Sequence, residues 1–316
     1  MLSRRAFLLA AAATPLTAAS LTPRERVRRA LRGQDVDRVP FSFWHHFGLE
    51  KFPGDRHAQA TLEFHRKFRT DLVKVMSDYP YPKPAGKWWE LKFNPDPFPE
   101  QIRALRLIHE GLHSQADFVE TLFNPWQVAA KLSSESEVQR LKQEKPQALL
   151  DALEVIARSQ ASHARKAVAV GAAGVFVSIT NANQGYQTRQ EYAKFGEPFD
   201  RMIFQAVSSA PLNVLHLHGD HVYLDLFYQG WPAAAINYSA HGTGVGITEV
   251  RSHYSGLILG GLDERNYRQL QTPDLEAQTK AATQAAGKKF LLTPGCSVPN
   301  DSTDEELLRL VRLLKA

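Results

Sequence analysis

Between Leu212 and Gly219 the chain reads LNVLHLHG, a strand-sized apolar run in which His216 and His218 stand two residues apart. Successive side chains of a strand point to opposite faces, so the two histidines share one face. Runs of similar size lie on both sides of it, at 39–44 (VPFSFW), 72–78 (LVKVMSD), 117–125 (DFVETLFNP), 174–180 (GVFVSIT), 234–240 (AAINYSA), 256–262 (GLILGGL) and 290–296 (FLLTPGC). Between them, 136–170, 190–209, 246–253, 264–286 and 303–315 carry apolar residues three and four apart, the period of a helix packed on one face. A strand followed by a helical stretch, eight times over, predicts an α/β fold of the (β/α)8 TIM-barrel type in a single domain. No linker rich in Pro, Gly or Ser divides the chain, and no solenoid-length repeat is present. The Pro-rich segment 79–99 reads as the longest irregular loop, placed to cover the barrel mouth.

A chain of 316 residues with 43% hydrophobic and 22% charged residues can bury one sizeable core, which excludes a disordered tail or a collagen-like protein. Residues 1–19 read as a leader: Ser3-Arg4-Arg5-Ala6-Phe7-Leu8, a short apolar run, and a small-residue exit near Ala19. The pattern resembles a twin-arginine export signal and predicts a periplasmic protein whose mature barrel spans 20–316. The apolar stretch is shorter than the about 20 residues a membrane span needs. Removing Arg4 and Arg5 from the 38 Lys+Arg leaves 36 against 33 Asp+Glu, so the formal +5 is reduced toward neutrality. Without a basic stripe interleaved with aromatics, nucleic acid is excluded as a partner. Behind the leader, Thr22, Pro23 and Glu25 mark a helix start.

Enzymes on this fold build their sites at the C-terminal ends of the strands. Those ends carry His45 and His46; Asp78 and Tyr79; Asn124; Asn181 and Asn183; His216 and His218; Asn237; Asp263; and Cys296. His45, His46, Tyr79, Asn124, Asn181, Asn183, Asn237 and Asp263 are the candidate substrate-binding residues. Two imidazoles and one thiolate, from His216, His218 and Cys296, form a zinc site of the catalytic type, with the fourth position open. Asp220 stands where it could orient one histidine from behind. The same residues also admit hydrogen-bonded interior histidines beside a small buried thiol. Cys296 is the chain's one cysteine and so forms no internal disulfide.

Leu215-His216-Leu217-His218-Gly219-Asp220, the Gly260-Gly261 pair with Asp263, and Thr293-Pro294-Gly295-Cys296-Ser297-Val298-Pro299 together resemble the uroporphyrinogen decarboxylase superfamily. Thr22 to Arg26, Asp37 to Phe41, and Phe123-Asn124-Pro125-Trp126 extend the resemblance over the mature chain. It implies a (β/α)8 barrel and one of two chemistries: cofactor-free decarboxylation of uroporphyrinogen, or zinc-dependent methyl transfer from a methylcobamide to a thiol. For the second, the resemblance places His216 and Cys296 on the first and last zinc ligands, with His218 where the methyltransferases have a cysteine. For the first, it places Asp78 on the aspartate that anchors the tetrapyrrole; Trp44 to Leu49 replace the arginine-rich segment, and Lys131 falls at the active-site tyrosine. A substrate with many carboxylates needs such cationic partners. Methyl transfer to a thiol is therefore the leading expectation, with Asp78, His216, His218 and Cys296 as candidate catalytic residues. The alternatives are a lyase acting on a tetrapyrrole or corrinoid, and an exported corrinoid- or metal-binding protein without turnover. A corrinoid protein would be the partner of the methyltransferase.

Overall fold

Seven of the eight apolar runs form strands in the computed structural model, which describes residues 20–76 and 79–315. They are β1 (Leu72–Val75), β2 (Asp117–Phe123), β3 (Gly174–Ile179), β4 (Val214–Leu217), β5 (Ala235–Tyr238), β6 (Leu257–Leu262) and β7 (Phe290–Pro294). Each pairs in parallel with the next in chain order, β1 through β7. Helices cross over between strands and cover the outer face, so the strands are buried on both sides and read as nearly unbroken apolar runs.

The run at 39–44 departs from expectation. It holds a single bridge, Phe41 to Leu292, with Ser42 N donating to Leu292 O (3.0 Å) and Leu292 N to Pro40 O (2.8 Å). On its other side Asp71 N donates to Phe41 O (2.8 Å) and Ser42 Oγ to Leu72 O (2.5 Å). The segment thus links β7 to β1 without becoming an eighth strand, so the described sheet is seven-stranded and curled. Pro40 has no N–H to extend the ladder. What holds the segment is charge: Asp71, fully buried, accepts from Arg26 Nη1 (2.5 Å), Arg38 Nη1 (2.6 Å) and Phe41 N (2.9 Å).

Thr22 and Glu25 form the expected capping box on the helix Pro23–Leu31. Its Val27 and Ala30 pack with Leu72, Val119, Val214, Ala235, Leu257, Leu259 and Leu291, one inward residue or more from each of six strands. This apolar plug fills the sheet's interior. Continuing two residues along the same faces, Thr121 follows Val119, His216 follows Val214, Asn237 follows Ala235 and Thr293 follows Leu291. The interior therefore changes from apolar to polar in one step toward the C-terminal strand ends. Segment 79–98 carries neither helix nor strand, as expected of the Pro-rich stretch. The helices Gly54–Phe68, Pro99–Leu112 and Pro125–Leu132 were not among the expected ones; Pro99 and Pro125, read as the end of the loop and of an apolar run, occupy first-turn positions, where a missing N–H costs nothing. No helix among the described residues is long and apolar enough to cross a membrane.

Candidate metal centre

His216 sits on β4 opposite Ser178 on β3 and Asn237 on β5. Its Nδ1 lies 2.7 Å from Asn237 Oδ1. The amide of Asn237 is held in one sense because its Nδ2 donates to Leu259 O (3.0 Å) and Pro294 O (3.2 Å). An amide oxygen only accepts, so His216 Nδ1 carries the proton and Nε2 keeps its lone pair. The ring stacks on Phe176 with centroids 5.0 Å apart. A buried imidazole with one nitrogen committed to an orienting partner is how proteins prepare a histidine for a metal.

His218 follows β4, its N donating to Ile179 O (3.0 Å), and Cys296 lies two residues beyond β7 with Sγ 3.5 Å from His218 Nδ1. One ligand atom from each of His216, His218 and Cys296 lies within 4.8 Å of the others, a spacing that one ion can span. Glycines allow the two loops to approach. Gly219, beside His218, has φ +107°, and a Cβ there would lie 2.4 Å from Asn183 Nδ2. At Gly295, beside Cys296, a Cβ would lie 2.3 Å from the Cα of Ser239, which cannot move aside.

Burial pushes the pKa of His216 down against the opposing bond and charge of Cys296, and it lowers His218 against the charges of Asp220 and Glu264. Burial alone would raise the Cys296 thiol, but hydrogen bonding to His216 and the charge of that ring bring it below the ordinary thiol range. Two imidazoles whose protonated forms burial disfavours, set beside one thiol, make a donor set suited to zinc.

Two cavities meet at these three residues. One, of about 280 Å³, is walled by Trp44, Phe176 and Met76, with Lys74, Lys131 and His46 as its charged or basic lining. The other, of about 310 Å³, runs past Ser239, Glu264 and Arg265. Lys74 reaches from β1 to within 4.6 Å of the Phe176 ring centroid and donates to Met76 Sδ (2.8 Å). Glu264 is buried and accepts from Gly295 N (3.1 Å), which steadies the turn before Cys296. Sequence reasoning missed Lys74 and Glu264 as site residues. A lysine inside the apolar run LVKVMSD was the available signal for Lys74.

The other expected site residues fall in several places. His46 lines the first cavity, whereas His45 packs against Phe64 and Phe47 in a separate, smaller cavity. Tyr79 donates to Phe52 O (2.8 Å) and lines a neighbouring cavity. Asn124 and Asn181 are fully buried and bonded to each other (2.5 Å); Asn124 also donates to Asp200 and Asn181 to Gln187. Neither lines the two cavities that meet at His216, His218 and Cys296. Asn183 accepts from Gly185 N, and Asp263 closes a turn by accepting from Arg265 N and Asn266 N. Asn237 orients His216 from behind instead of lining either cavity. Asp220 does not take the orienting role expected of it: it pairs with Arg265 at the rim, whose hydrogen bond holds its pKa below the usual range. Asp78 and the leader 1–19 lie outside the described residues.

The backbone path is shared with known structures. A methyltransferase from Methanosarcina mazei superposes with TM-score 0.74 at 17% identity, covering 94% of this chain and 99% of its own. A B12-independent methionine synthase from Shewanella sp. W3-18-1 gives 0.53 at 10% identity, over 88% of this chain and 94% of its own. Morphinone reductase gives 0.51 at 12%, over 87% and 85%. Such different activities on one backbone establish the fold and not the reaction. Among curated protein sequences no relative matches the chain. The family described as uroporphyrinogen decarboxylase (URO-D) matches residues 89–316, well over half of the chain, and with the inward-facing site at the strand ends this shows that the protein belongs to that family.

Proposed function

We propose that this protein is a zinc-dependent methyltransferase that moves a methyl group to a thiol. The observation that carries the reading is the cluster of His216, His218 and Cys296, with ligand atoms within 4.8 Å, a pre-set tautomer on His216 and two cavities meeting at its open side. When bound there, zinc supplies the Lewis acidity that lowers the pKa of a thiol. Asn237 holds the proton on His216 Nδ1, and burial keeps both imidazoles neutral and able to donate. Trp44, Met76 and Phe176 exclude water from the reacting side, while Lys74 and Lys131 favour a substrate of negative charge. A tetrapyrrole lyase is disfavoured: a substrate with many carboxylates asks for bidentate cations, and this cavity offers two lysines.

Protein purified without chelators is expected to hold about one zinc per chain, as an open three-ligand site would. Replacing His216 or Cys296 is expected to remove both the metal and the transfer of a methyl group from methylcobamide to a small thiol. Protein free of stoichiometric transition metal, or chelated protein that decarboxylates uroporphyrinogen efficiently, would overturn the reading.

Export belongs to the same proposal, with a corrinoid protein as the partner that brings the methyl donor. The arginine pair of the leader is read by a receptor and not by hydrophobicity alone, so Arg4→Lys with Arg5→Lys is expected to leave the protein in the cytoplasm. Cell fractionation checks this, and unchanged export would refute the twin-arginine route.

A further inference from the structure

The two cavities that meet at His216, His218 and Cys296 differ in charge. Lys74 and Lys131 line the first, whereas the second carries a buried carboxylate, Glu264, 5% exposed, on the turn that follows β6. Its Oε2 accepts from Gly295 N (3.1 Å), and glycine at 295 makes room for it, since a Cβ there would come within 2.9 Å of that oxygen. Its other oxygen, Oε1, has no hydrogen-bond partner among the described residues and, unlike the sealed unpartnered atoms of the core, is open to the cavity that Glu264 lines. Arg265, next in the chain, pairs with Asp220 at the rim, and no ion pair of Glu264 exists among the described residues. Glu264 also stands outside the cluster of ligand atoms from His216, His218 and Cys296. A buried carboxylate is costly unless its charge and its lone pairs are matched, so one that lines a cavity calls for a cation with N–H donors.

We propose that, given the thiol transfer on which this inference rests, the second cavity selects a short aminothiol as the acceptor, with its sulfur at the metal cluster and its ammonium on Glu264 Oε1. Position supports this. Glu264 bonds the residue before Cys296 and shares a cavity of about 310 Å³ with His218 and Cys296, so a short carbon chain is all that separates a sulfur at the cluster from an ammonium on the carboxylate. Charge excludes the alternatives. An anionic thiol would set its charge against Glu264 and be drawn to Lys74 and Lys131 on the other side. A neutral thiol would leave the carboxylate's charge unmatched. An ammonium supplies both the charge and the N–H donors that Oε1 lacks. A substrate of negative charge is thereby left to the first cavity, and the two reactants do not compete for one place.

Calorimetric titration of the zinc-loaded full chain with cysteamine, 2-mercaptoethanol and 3-mercaptopropionate tests it, with affinities compared at equal thiolate concentration so that the ammonium's effect on thiol acidity cancels. Cysteamine is expected to bind about tenfold more tightly than 2-mercaptoethanol, the scale of one hydrogen bond between charged groups, and 3-mercaptopropionate more weakly than either. Glu264→Gln keeps an oxygen for Gly295 N while removing the charge, and is expected to bring cysteamine down to the level of 2-mercaptoethanol. Circular dichroism identifies a variant that fails to fold; the ranking of the three thiols in the unsubstituted protein then decides alone. Equal affinity for cysteamine and 2-mercaptoethanol there, or a preference for 3-mercaptopropionate, would overturn the proposal and leave the methyltransferase reading standing. So would folded Glu264→Gln that weakens all three thiols alike, because the carboxylate would then serve the metal. A chain that takes up no zinc, or binds no thiol when loaded, would overturn both.

Discussion

Asn237 shows how one side chain can prepare another. Its amide is clamped by the carbonyls of Leu259 and Pro294, its oxygen accepts a hydrogen bond from His216 Nδ1, and the ring's lone pair is thereby kept on Nε2, the nitrogen toward Cys296. Replacing it with leucine, close in volume but without an acceptor, is expected to lower zinc affinity by about 10–100-fold, the usual cost of losing such an orienting partner. Asn237→Asp, which still accepts from Nδ1–H, is expected to recover most of that loss. Competition against a calibrated chelator measures both, and equal affinity in wild type and Asn237→Leu would show that the ring needs no orientation. His-x-His and the cysteine were legible in the sequence because ligand types at strand ends carry their own chemistry. The orienting role of Asn237 was not, because it depends on the register that sets β5 beside β4. Asp220 was read as the orienting partner through adjacency in sequence alone, and Arg265, 45 residues away, claims it instead.

The strands were legible from apolar runs because a parallel sheet covered on both faces leaves little polar residue in its interior. The run at 39–44 looks the same in composition, yet it closes the sheet through Asp71 and a single bridge. Asp71→Ala would leave Arg26, 4% exposed, without its buried partner and free the Phe41 amide. A loss of about 3 kcal/mol is expected in denaturant unfolding, the scale of breaking a buried ion pair from one side. Asn124 and Asn181 stood at strand ends and so read as pocket residues; instead Asn124 joins Tyr192 in bonding a buried carboxylate on the helix Glu197–Ala206, Asp200, and Asn181 bonds Asn124 and Gln187. Burial raises the Asp200 pKa to about 7, against the lowering effect of its bonds from Tyr192 and Asn124. A raised carboxylate pKa means that the folded state binds the proton more tightly than the unfolded one. Its contribution is therefore fully present below the unfolded value near 4 and is lost as pH rises through about 7. Asp200→Asn is expected to flatten this decline between pH 4 and 7. Thermal or urea unfolding across that range checks it, and an unchanged slope would assign the pH dependence elsewhere.

For the molecule as a whole, the placement of the site decides whether metal contributes to folding or only to function. The apolar plug of Val27, Val119, Val214, Leu257, Leu259 and Leu291 lies beneath the ligands and includes none of them. His216 comes from a strand paired on both sides, and His218 and Cys296 come from turns whose backbone is held by Ile179 O and Glu264. Each of the three residues is thus positioned by contacts that a metal would not supply. In small zinc domains the opposite holds, since no core survives without the ion and chelation unfolds them. Here the chelated protein is expected to keep its far-UV circular dichroism and a single cooperative melt. Zinc should still raise the Tm, because it binds the folded state in preference to the unfolded one, and the rise should grow with the logarithm of free zinc above the dissociation constant. Replacing Cys296 with serine should abolish most of that zinc-dependent rise while leaving the melt of the chelated protein nearly where it was, since Cys296 packs in no part of the apolar plug. Unfolding on chelation would make the site structural and remove the open position on which thiol chemistry depends. A zinc-dependent rise that survives Cys296→Ser undiminished would place the metal away from these three residues.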